Sequence, residues 1–248
     1  MMPAAGVGER LMPLTDSRPK GLVPVRGRPL LAYSLEQLHR AGVTLLVCVT
    51  GYQADLLEST LLALPERPEI QFVRNPEFAT TNSIVSLSLT SPWWDEDFCI
   101  VESDVLFTPQ LIEDLLRAGG SRVVVDRSKA PTEMDVKVQI LQGRVLDLHK
   151  DLPAAHSAGE FVPLARWTAE HGRQLSSAIE HLLERGQTDI LWEYSVRRIA
   201  GIVPIEPLYT ERGQWVEVDE PMDVTAADAF VTEVLSAGTT QVGECSGV

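Results

Sequence analysis

Residues 4–20 read AAGVGERLMPLTDSRPK, and this stretch decides how the rest of the chain is interpreted. Gly6 and Gly8 permit a tight backbone turn whose N–H groups can approach a phosphate. The third glycine of a dinucleotide fingerprint is missing, and no Gly-Lys-Ser/Thr closes a P-loop. Arg10 and Lys20 follow instead, and two separated cations behind such a turn suit a triphosphate. The stretch predicts a triphosphate-binding loop, with a flexible basic terminus as the alternative.

The start of the chain offers little to anchor this turn. Glycine-rich phosphate loops usually follow a buried strand, whereas only Met1, Met2 and Pro3 precede this one. Pro3 also lacks the N–H group that a strand donates to its neighbour. We therefore expect a shortened first strand, and weak order over residues 1–12 in the absence of nucleotide.

The composition is that of a globular protein with unevenly distributed charge. The 248 residues carry a net charge of −14, which disfavours binding to nucleic acids or anionic membranes. Residues 1–30 nevertheless hold five basic and two acidic side chains, which suits a small anionic ligand. No apolar run approaches the roughly 20 residues of a membrane helix, and no signal-peptide pattern is present. Cys48, Cys99 and Cys245 match no metal-binding spacing, and a reducing cytoplasm is the expected location.

Between residues 29 and 120 the sequence alternates between helical periodicity and short apolar runs. The patterns predict helices over 29–42, 53–64 and 108–120, strands over 43–50, 70–75 and 98–103, and a short helix or extended turn over 82–89. Thr108 and Pro109 are favourable first residues for the last of these helices. This alternation predicts an α/β fold with a mostly parallel sheet covered on both faces.

The second half of the sequence has a different pattern. It predicts strands over 122–126, 135–141, 145–150, 202–206 and 215–218, and helices over 168–186, 190–200 and 220–237. The strands 135–141 and 145–150 are expected to form a hairpin. We expect one domain over residues 1–237 and a flexible tail over residues 238–248.

Acidic residues near two strand ends suggest a metal site. Asp104 follows a predicted strand at its carboxyl end, where open α/β sheets bind their ligands. Glu217 and Asp219 share one face of a later strand, and burying both is costly unless they are paired or bind a metal. Carboxylates in these positions can hold Mg²⁺ against phosphate oxygens. The alternative for Asp104 is a turn or helix-capping role.

Several segments together resemble the nucleotidyltransferases that activate sugar phosphates and related small molecules. They are AAGVGERLMPLTDSRPKGLVPVRGRPLL (4–31), VTGYQ (49–53), NPEFATTNSIVSL (75–87), IVESDVLF (100–107), MDVKV (134–138), GEFVPLARW (159–167) and WVEVDEPMD (215–223). The Asn82, Ser86 and Leu87 pattern resembles the phosphocholine and phosphonate cytidylyltransferase branch of that superfamily. The resemblance implies a Rossmann-like, GT-A-like sheet with a small antiparallel acceptor-binding portion. Residues 1–120 would then mainly bind nucleotide, and residues 121–237 mainly the acceptor.

The resemblance also implies roles for individual residues. The nucleotide would be bound by Ala5, Gly6, Gly8, Arg10, Lys20, Gly51 and Tyr52, with Arg10, Lys20 and Lys137 serving catalysis. The acceptor would be bound by Asn82, Lys137, Lys150, Glu160, Trp192 and Glu193, and Mg²⁺ by Asp104, Glu217 and Asp219. Simpler explanations exist for four of these: Asn82 as a helix N-cap, Lys137 at a solvated strand edge, Lys150 as an exposed cation and Trp192 as core.

The implied reaction transfers CMP from CTP to a small phosphonate or phosphate monoester with release of pyrophosphate, and requires Mg²⁺. Ile84 and Val85 stand where choline enzymes have aromatic residues, so that a phosphonate is favoured over phosphocholine. A sugar-1-phosphate nucleotidyltransferase and a catalytically silent nucleotide-sensing module are the alternatives. Neither a nucleic acid nor a membrane is expected as a partner, and formation of a homodimer is left open.

Overall fold

A computed structural model of the chain describes residues 1–235. The predicted tail over residues 238–248, with Cys245, lies outside these residues. No helix in the described part is long and apolar enough to cross a membrane.

Strands and helices follow the order that the sequence predicted, with additional strands, one of which, Gly159–Trp167, has nine residues. The strands are β1 (Met2–Ala4), β2 (Pro24–Val25), β3 (Arg28–Pro29), β4 (Leu45–Thr50), β5 (Glu69–Arg74), β6 (Phe98–Val101), β7 (Val105–Phe107), β8 (Ser121–Asp126), β9 (Lys137–Leu141), β10 (Arg144–His149), β11 (Gly159–Trp167), β12 (Ile205–Thr210) and β13 (Trp215–Glu217). The helices are α1 (Leu30–Arg40), α2 (Ala54–Leu62), α3 (Ser83–Ser88), α4 (Pro109–Arg117), α5 (Ala169–Glu184), α6 (Val196–Ile199) and α7 (Asp223–Phe230). A π-helical turn, Val231–Leu235, continues α7.

The first half of the chain forms a parallel sheet. β1 and β5 both pair with β4 in parallel. Met1 joins β6 to this sheet, because its ammonium donates to the Cys99 carbonyl (2.6 Å) and its carbonyl accepts from the Val101 N–H (2.9 Å). β1 has three residues in this sequence. These few residues nevertheless lie in the centre of the sheet, and Met2 is fully buried.

One long antiparallel strand, β11, connects this sheet to the second half of the chain. It pairs with β6, β8 and β9, and β12 then pairs with β8 in parallel. Its pairing with β8 shifts register between Val162 and Ala165, around Pro163. The Pro163 carbonyl accepts a hydrogen bond from the Glu102 N–H (3.1 Å) at this position. The α/β fold with parallel and antiparallel strands is thus confirmed, and β9 and β10 form the predicted hairpin.

Several element boundaries differ from the sequence prediction. The helix predicted over 190–200 is a 3₁₀ turn, Trp192–Ser195, followed by the short α6, because Leu191 is extended (ψ 147°). The strand predicted over 202–206 begins at Ile205, and the helix predicted from residue 220 begins at Asp223. The predicted capping of α4 is confirmed, since the Thr108 side chain accepts from the Leu111 N–H and Pro109 begins the helix.

Candidate active site

A cavity of about 330 Å³, here called the main cavity, opens at the carboxyl ends of β1 and β6. Parallel strands present their carboxyl ends at one edge of a sheet, and α/β proteins bind ligands there. Twelve of the sixteen residues predicted for the site line it: Ala5, Gly6, Gly8, Arg10, Lys20, Asn82, Asp104, Lys150, Glu160, Glu193, Glu217 and Asp219. The other four, Gly51, Tyr52, Lys137 and Trp192, do not line it.

The glycine-rich loop after β1 is held by specific contacts. Gly8 has a left-handed backbone (φ +73°), which disfavours any residue with a side chain. Its carbonyl accepts a hydrogen bond from Thr15 Oγ1 at 2.9 Å. A Cβ on Gly8 would lie 3.1 Å from the Lys20 Cβ, so the absence of a side chain lets the Lys20 stem lie against the loop.

Gly51 and Tyr52 support this loop from the end of β4. The Tyr52 N–H donates to the Ala5 carbonyl (2.9 Å), and a Cβ on Gly51 would lie only 2.7 Å from that same oxygen. The Tyr52 hydroxyl donates to the Asp16 carbonyl at 3.0 Å. The structure therefore places these two residues behind the loop, where they position Ala5.

Three carboxylates lie close together in the main cavity, which the glycine-rich loop also lines. Asp104, Glu217 and Asp219 each offer an oxygen atom, and these atoms lie within 4.8 Å of one another. Asp104 follows β6, while β13 pairs with β7 and carries Glu217. The Val218 N–H donates to the Asp104 carbonyl (2.9 Å), which fixes the two segments together.

Two cations neutralise this acidic cluster. Lys20 Nζ lies 2.6 Å from Asp104 Oδ2 and 2.5 Å from Asp219 Oδ1, and Arg10 Nη2 lies 2.8 Å from Asp219 Oδ2. Burial alone would lower the pKa of Lys20, but Asp104 and Asp219 outweigh it and raise that pKa. Burial, with the charges of Asp104 and Asp219, raises the pKa of Glu217 well above its usual value. Burial opposes ionisation of Asp219, yet Lys20 and Arg10 hold its pKa below the usual value.

The carboxylate cluster fits a divalent cation. Oxygen ligands are those that Mg²⁺ prefers, and Asp104 Oδ1 is buried without a hydrogen-bond partner among the described residues. The Lys20 ammonium already lies between two of the carboxylates, which demonstrates that a positive charge is accommodated there.

Four of the residues predicted to bind the acceptor also line the main cavity, namely Asn82, Lys150, Glu160 and Glu193. Asn82 caps α3, since its Oδ1 accepts from the Ser83 N–H (2.8 Å), and it also lines the cavity. Its capping role and its position in the cavity are therefore compatible. Lys150, at the end of the β9–β10 hairpin, adds a positive charge to the same wall.

The polar atoms of Lys137 and Trp192 bond to neighbouring protein groups, and neither residue lines the main cavity. Lys137 is 3% exposed, and its Nζ donates to the carbonyls of Lys150 (2.5 Å) and Asp135 (3.1 Å). It is therefore not at a solvated strand edge. Trp192 is fully buried, and its Nε1 donates to Glu102 Oε1 at 2.8 Å. Both residues stabilise parts of the cavity wall from behind.

Glu102 is a cavity residue that the sequence analysis did not assign. It lines the main cavity beside Glu193. Burial raises the pKa of Glu102, and the nearby Glu193 and Asp104 raise it further. Burial likewise raises the pKa of Glu193 to about 7. Its position could have indicated this place in the cavity, because Glu102 directly follows β6 and stands two residues before Asp104.

Glu160 is the third acidic residue on this side. It is almost completely buried and forms an ion pair with Lys129 Nζ at 3.0 Å. Burial raises the pKa of Glu160, although Lys129 opposes this. Lys129 also lies 5.8 Å from the centre of the Trp215 ring, in a second cavity of about 400 Å³ that adjoins the main one.

Residues 3–196 match the family of MobA-like NTP transferase domains. The chain belongs to this family. CMP-5′-(3-aminopropyl)phosphonate synthase of Streptomyces rubellomurinus is 31% identical over 91% of the chain, but only 37% of that protein is matched. Choline-phosphate cytidylyltransferase of Streptococcus pneumoniae is 27% identical over 78% of the chain and 81% of its own length. The bifunctional protein GlmU of Methanocaldococcus jannaschii is 24% identical over 94% of the chain and 54% of its own length.

Solved structures support the same fold. The CTP:phosphocholine cytidylyltransferase of Streptococcus pneumoniae superposes with a TM-score of 0.78 at 21% identity, covering 93% of this chain and 97% of that one. The inositol-1-phosphate CTP transferase of T. maritima gives a TM-score of 0.74 at 22% identity, with 94% and 96% covered. The resemblance to the nucleotidyltransferases is thus confirmed at the level of family and fold.

Proposed function

We propose that the protein transfers CMP from CTP to a small phosphonate or phosphate monoester and releases pyrophosphate. The observation that carries this proposal is the convergence of Arg10 and Lys20 with Asp104 and Asp219 beside the glycine-rich loop. This arrangement combines donors for phosphate oxygens with oxygen ligands for a metal. Membership of an NTP transferase family supports the same chemistry.

The preference for CTP comes from the relatives. Three similar proteins carry a cytidine nucleotide or a cytidylyl group in their names: a CMP-5′-(3-aminopropyl)phosphonate synthase, a choline-phosphate cytidylyltransferase and a CTP:phosphoglutamine cytidylyltransferase. GlmU and a UTP–glucose-1-phosphate uridylyltransferase are also similar to the chain, so the nucleotide must be tested directly.

The proposed reaction is an in-line displacement at the α-phosphorus. An oxyanion of the acceptor forms the new P–O bond, and the bond to the β-phosphate oxygen breaks, with pyrophosphate leaving with that electron pair. Because the acceptor is already an anion, no strong general base is needed. Arg10 and Lys20 would orient the triphosphate and neutralise developing charge. Asp104, Asp219 and Glu217 would hold Mg²⁺, which supplies further charge neutralisation when bound.

The charge distribution of the main cavity favours an acceptor with an anionic end and a cationic end. Lys150 and Asn82 lie on a wall that suits the phosphonate or phosphate group. Glu102 and Glu193 line the same cavity and suit an ammonium group, since buried carboxylates are costly unless paired. Glu160 also lines it, but Lys129 already pairs with this carboxylate. Ile84 has no aromatic ring and is fully buried, so it does not contribute to an aromatic cage for choline.

Pyrophosphate release with defined substrate pairs tests the proposal. Purified protein with Mg²⁺ is given CTP, UTP, ATP or GTP together with an aminoalkylphosphonate, the matched alkylphosphonate, phosphocholine or glucose 1-phosphate. We expect pyrophosphate release with CTP and the aminoalkylphosphonate. The KM for the alkylphosphonate, which lacks the ammonium group, should be much higher.

Other outcomes distinguish the alternatives. Turnover of glucose 1-phosphate with UTP alone would identify a sugar-1-phosphate nucleotidyltransferase. Tight nucleotide binding without turnover of any pair would favour the silent sensing module. Retention of Arg10, Lys20, Asp104 and Asp219 in one cluster speaks against that module.

A further inference from the structure

Lys20 places a positive charge where the proposed metal ligands converge. Its Nζ contacts Asp104 Oδ2 at 2.6 Å and Asp219 Oδ1 at 2.5 Å. An ammonium at these distances uses carboxylate lone pairs that a divalent cation would need. Two cations this close together would also repel each other strongly. Lys20 in this position therefore disfavours a metal ion on the same two oxygens.

The backbone of Lys20 is fixed, whereas its side chain lines the main cavity. The Lys20 carbonyl accepts from the Val23 N–H at 3.0 Å. A Cβ on the next residue, Gly21, would lie 2.4 Å from Leu31 Cδ1, so this segment packs closely against α1. The lysine side chain itself is a flexible four-carbon stem with a compact charge. Nζ can therefore change partners by side-chain rotation while the rest of the loop stays in place.

We propose that Lys20 competes with the divalent cation for Asp104 and Asp219, and that a bound triphosphate relieves this competition by attracting Nζ to its own oxygens. The inference rests on the proposed function, in which these carboxylates bind a metal and Lys20 binds the triphosphate. The metal would then bind weakly until a nucleotide is in the main cavity. Lys20 acts as an internal substitute for the metal and couples metal binding to nucleotide binding.

Arg10 provides a matched comparison within the same cluster. Within the cluster it forms an ion pair with Asp219, at 2.8 Å, and its side chain is 45% exposed against 14% for Lys20. If the total charge of the cluster governed metal affinity, removing either cation would have a similar effect. Competition for position predicts a much larger effect for Lys20, because Lys20, unlike Arg10, bridges Asp104 and Asp219.

Mn²⁺ binding to the full chain without nucleotide, followed by electron paramagnetic resonance, tests the proposal. We expect Lys20→Met to bind Mn²⁺ at least about tenfold more tightly than the unchanged protein, and Arg10→Met to gain less than about threefold. Unchanged or weaker binding by Lys20→Met, or equal gains for the two variants, would overturn the competition. Lys20→Gln, which is also uncharged, replaces Lys20→Met if circular dichroism shows that the latter is unfolded.

Asp104→Asn separates this inference from the proposed function. We expect this change to abolish tight Mn²⁺ binding when it is combined with Lys20→Met. If the double variant binds Mn²⁺ as tightly as Lys20→Met, the metal assignment itself fails. If Asp104→Asn weakens Mn²⁺ binding but Lys20→Met leaves it unchanged, only the competition fails.

Discussion

The two carboxylate oxygens of Asp104 have different surroundings. Oδ2 accepts a hydrogen bond from Lys20, whereas Oδ1 is buried without such a partner in the described part of the chain. An unpaired buried acceptor costs about 1–3 kcal/mol. We infer that Oδ1 is retained for a ligand and contributes little to the stability of the fold.

Asp104→Asn should therefore reduce activity while preserving the fold. An amide keeps the size of the side chain but removes the charge that a metal ion requires. We expect kcat to fall about 10³-fold, equivalent to about 4 kcal/mol, with an unchanged circular dichroism spectrum. Asp114→Asn is the matched control, because Asp114 lies on α4 and contacts Gln110. Full activity of Asp104→Asn would remove this residue from the metal site.

Much of the candidate site was predictable from residue type and spacing. The sequence predicts four site residues that the structure brings into one cluster: Arg10, Lys20, Asp104 and Asp219. Lys137 was expected to touch the acceptor, but a sequence does not show which way a strand residue faces. The carbonyls of Lys150 and Asp135 hold its Nζ inside the protein. The roles of the individual residues stay predictions.

At the scale of elements, the end of β4 controls the position of the glycine-rich loop. A methyl group on Gly51 would meet the Ala5 carbonyl at 2.7 Å and the Phe78 Cβ at 2.6 Å. Both contacts are too short, and the first involves backbone that cannot rotate away. β4 and the loop are therefore in direct contact through a residue without a side chain.

Gly51→Ala is expected to displace the loop and destabilise the protein. Overpacking of this kind typically costs about 1–3 kcal/mol. Urea unfolding measures that loss, and equilibrium binding of CTP measures the accompanying fall in affinity. Gly119→Ala is the control, since nothing lies within 4 Å of its added methyl group. Equal stability and CTP affinity in the two variants would show that β4 does not constrain the loop.

The elements with clear periodicity were predicted well, and β11 was missed. α1, β4 and α4 have strong apolar patterns with recognisable ends, and they lie where expected. β11 contains Pro163, which normally argues against a central strand. The structure accommodates it at a register shift, where the Pro163 carbonyl still accepts a hydrogen bond. Such a compensation depends on distant strands and cannot be inferred from the segment alone.

At the scale of the whole molecule, the buried α-ammonium of Met1 links stability to pH. Burial lowers the pKa of this ammonium to about 6, compared with about 8 in an unfolded chain. Cys99, Cys48 and Glu102 partly oppose this effect. Between these values the unfolded state binds more protons than the folded state. For a chain with a free amino group at Met1, this group should therefore increase stability as the pH rises from 6 to 8, by about 2–3 kcal/mol.

Comparison with an Nα-acetylated chain isolates this contribution. Acetylation removes the titrating charge while keeping an N–H group that can donate to the Cys99 carbonyl. Urea unfolding across pH 5.5–8.5 should show the unmodified chain gaining stability relative to the acetylated one as the pH rises. Parallel curves for the two forms would contradict the inferred cost of burying this charge.

The position of β11 has a consequence for folding during synthesis. β6 emerges from the ribosome early, but its partner residues in β11 extend to Trp167. Until those residues are available, β6 presents an unpaired edge, which is a template for aggregation. We therefore expect residues 1–120 not to fold as a unit of their own, because the first sheet is closed only when the chain has passed Trp167.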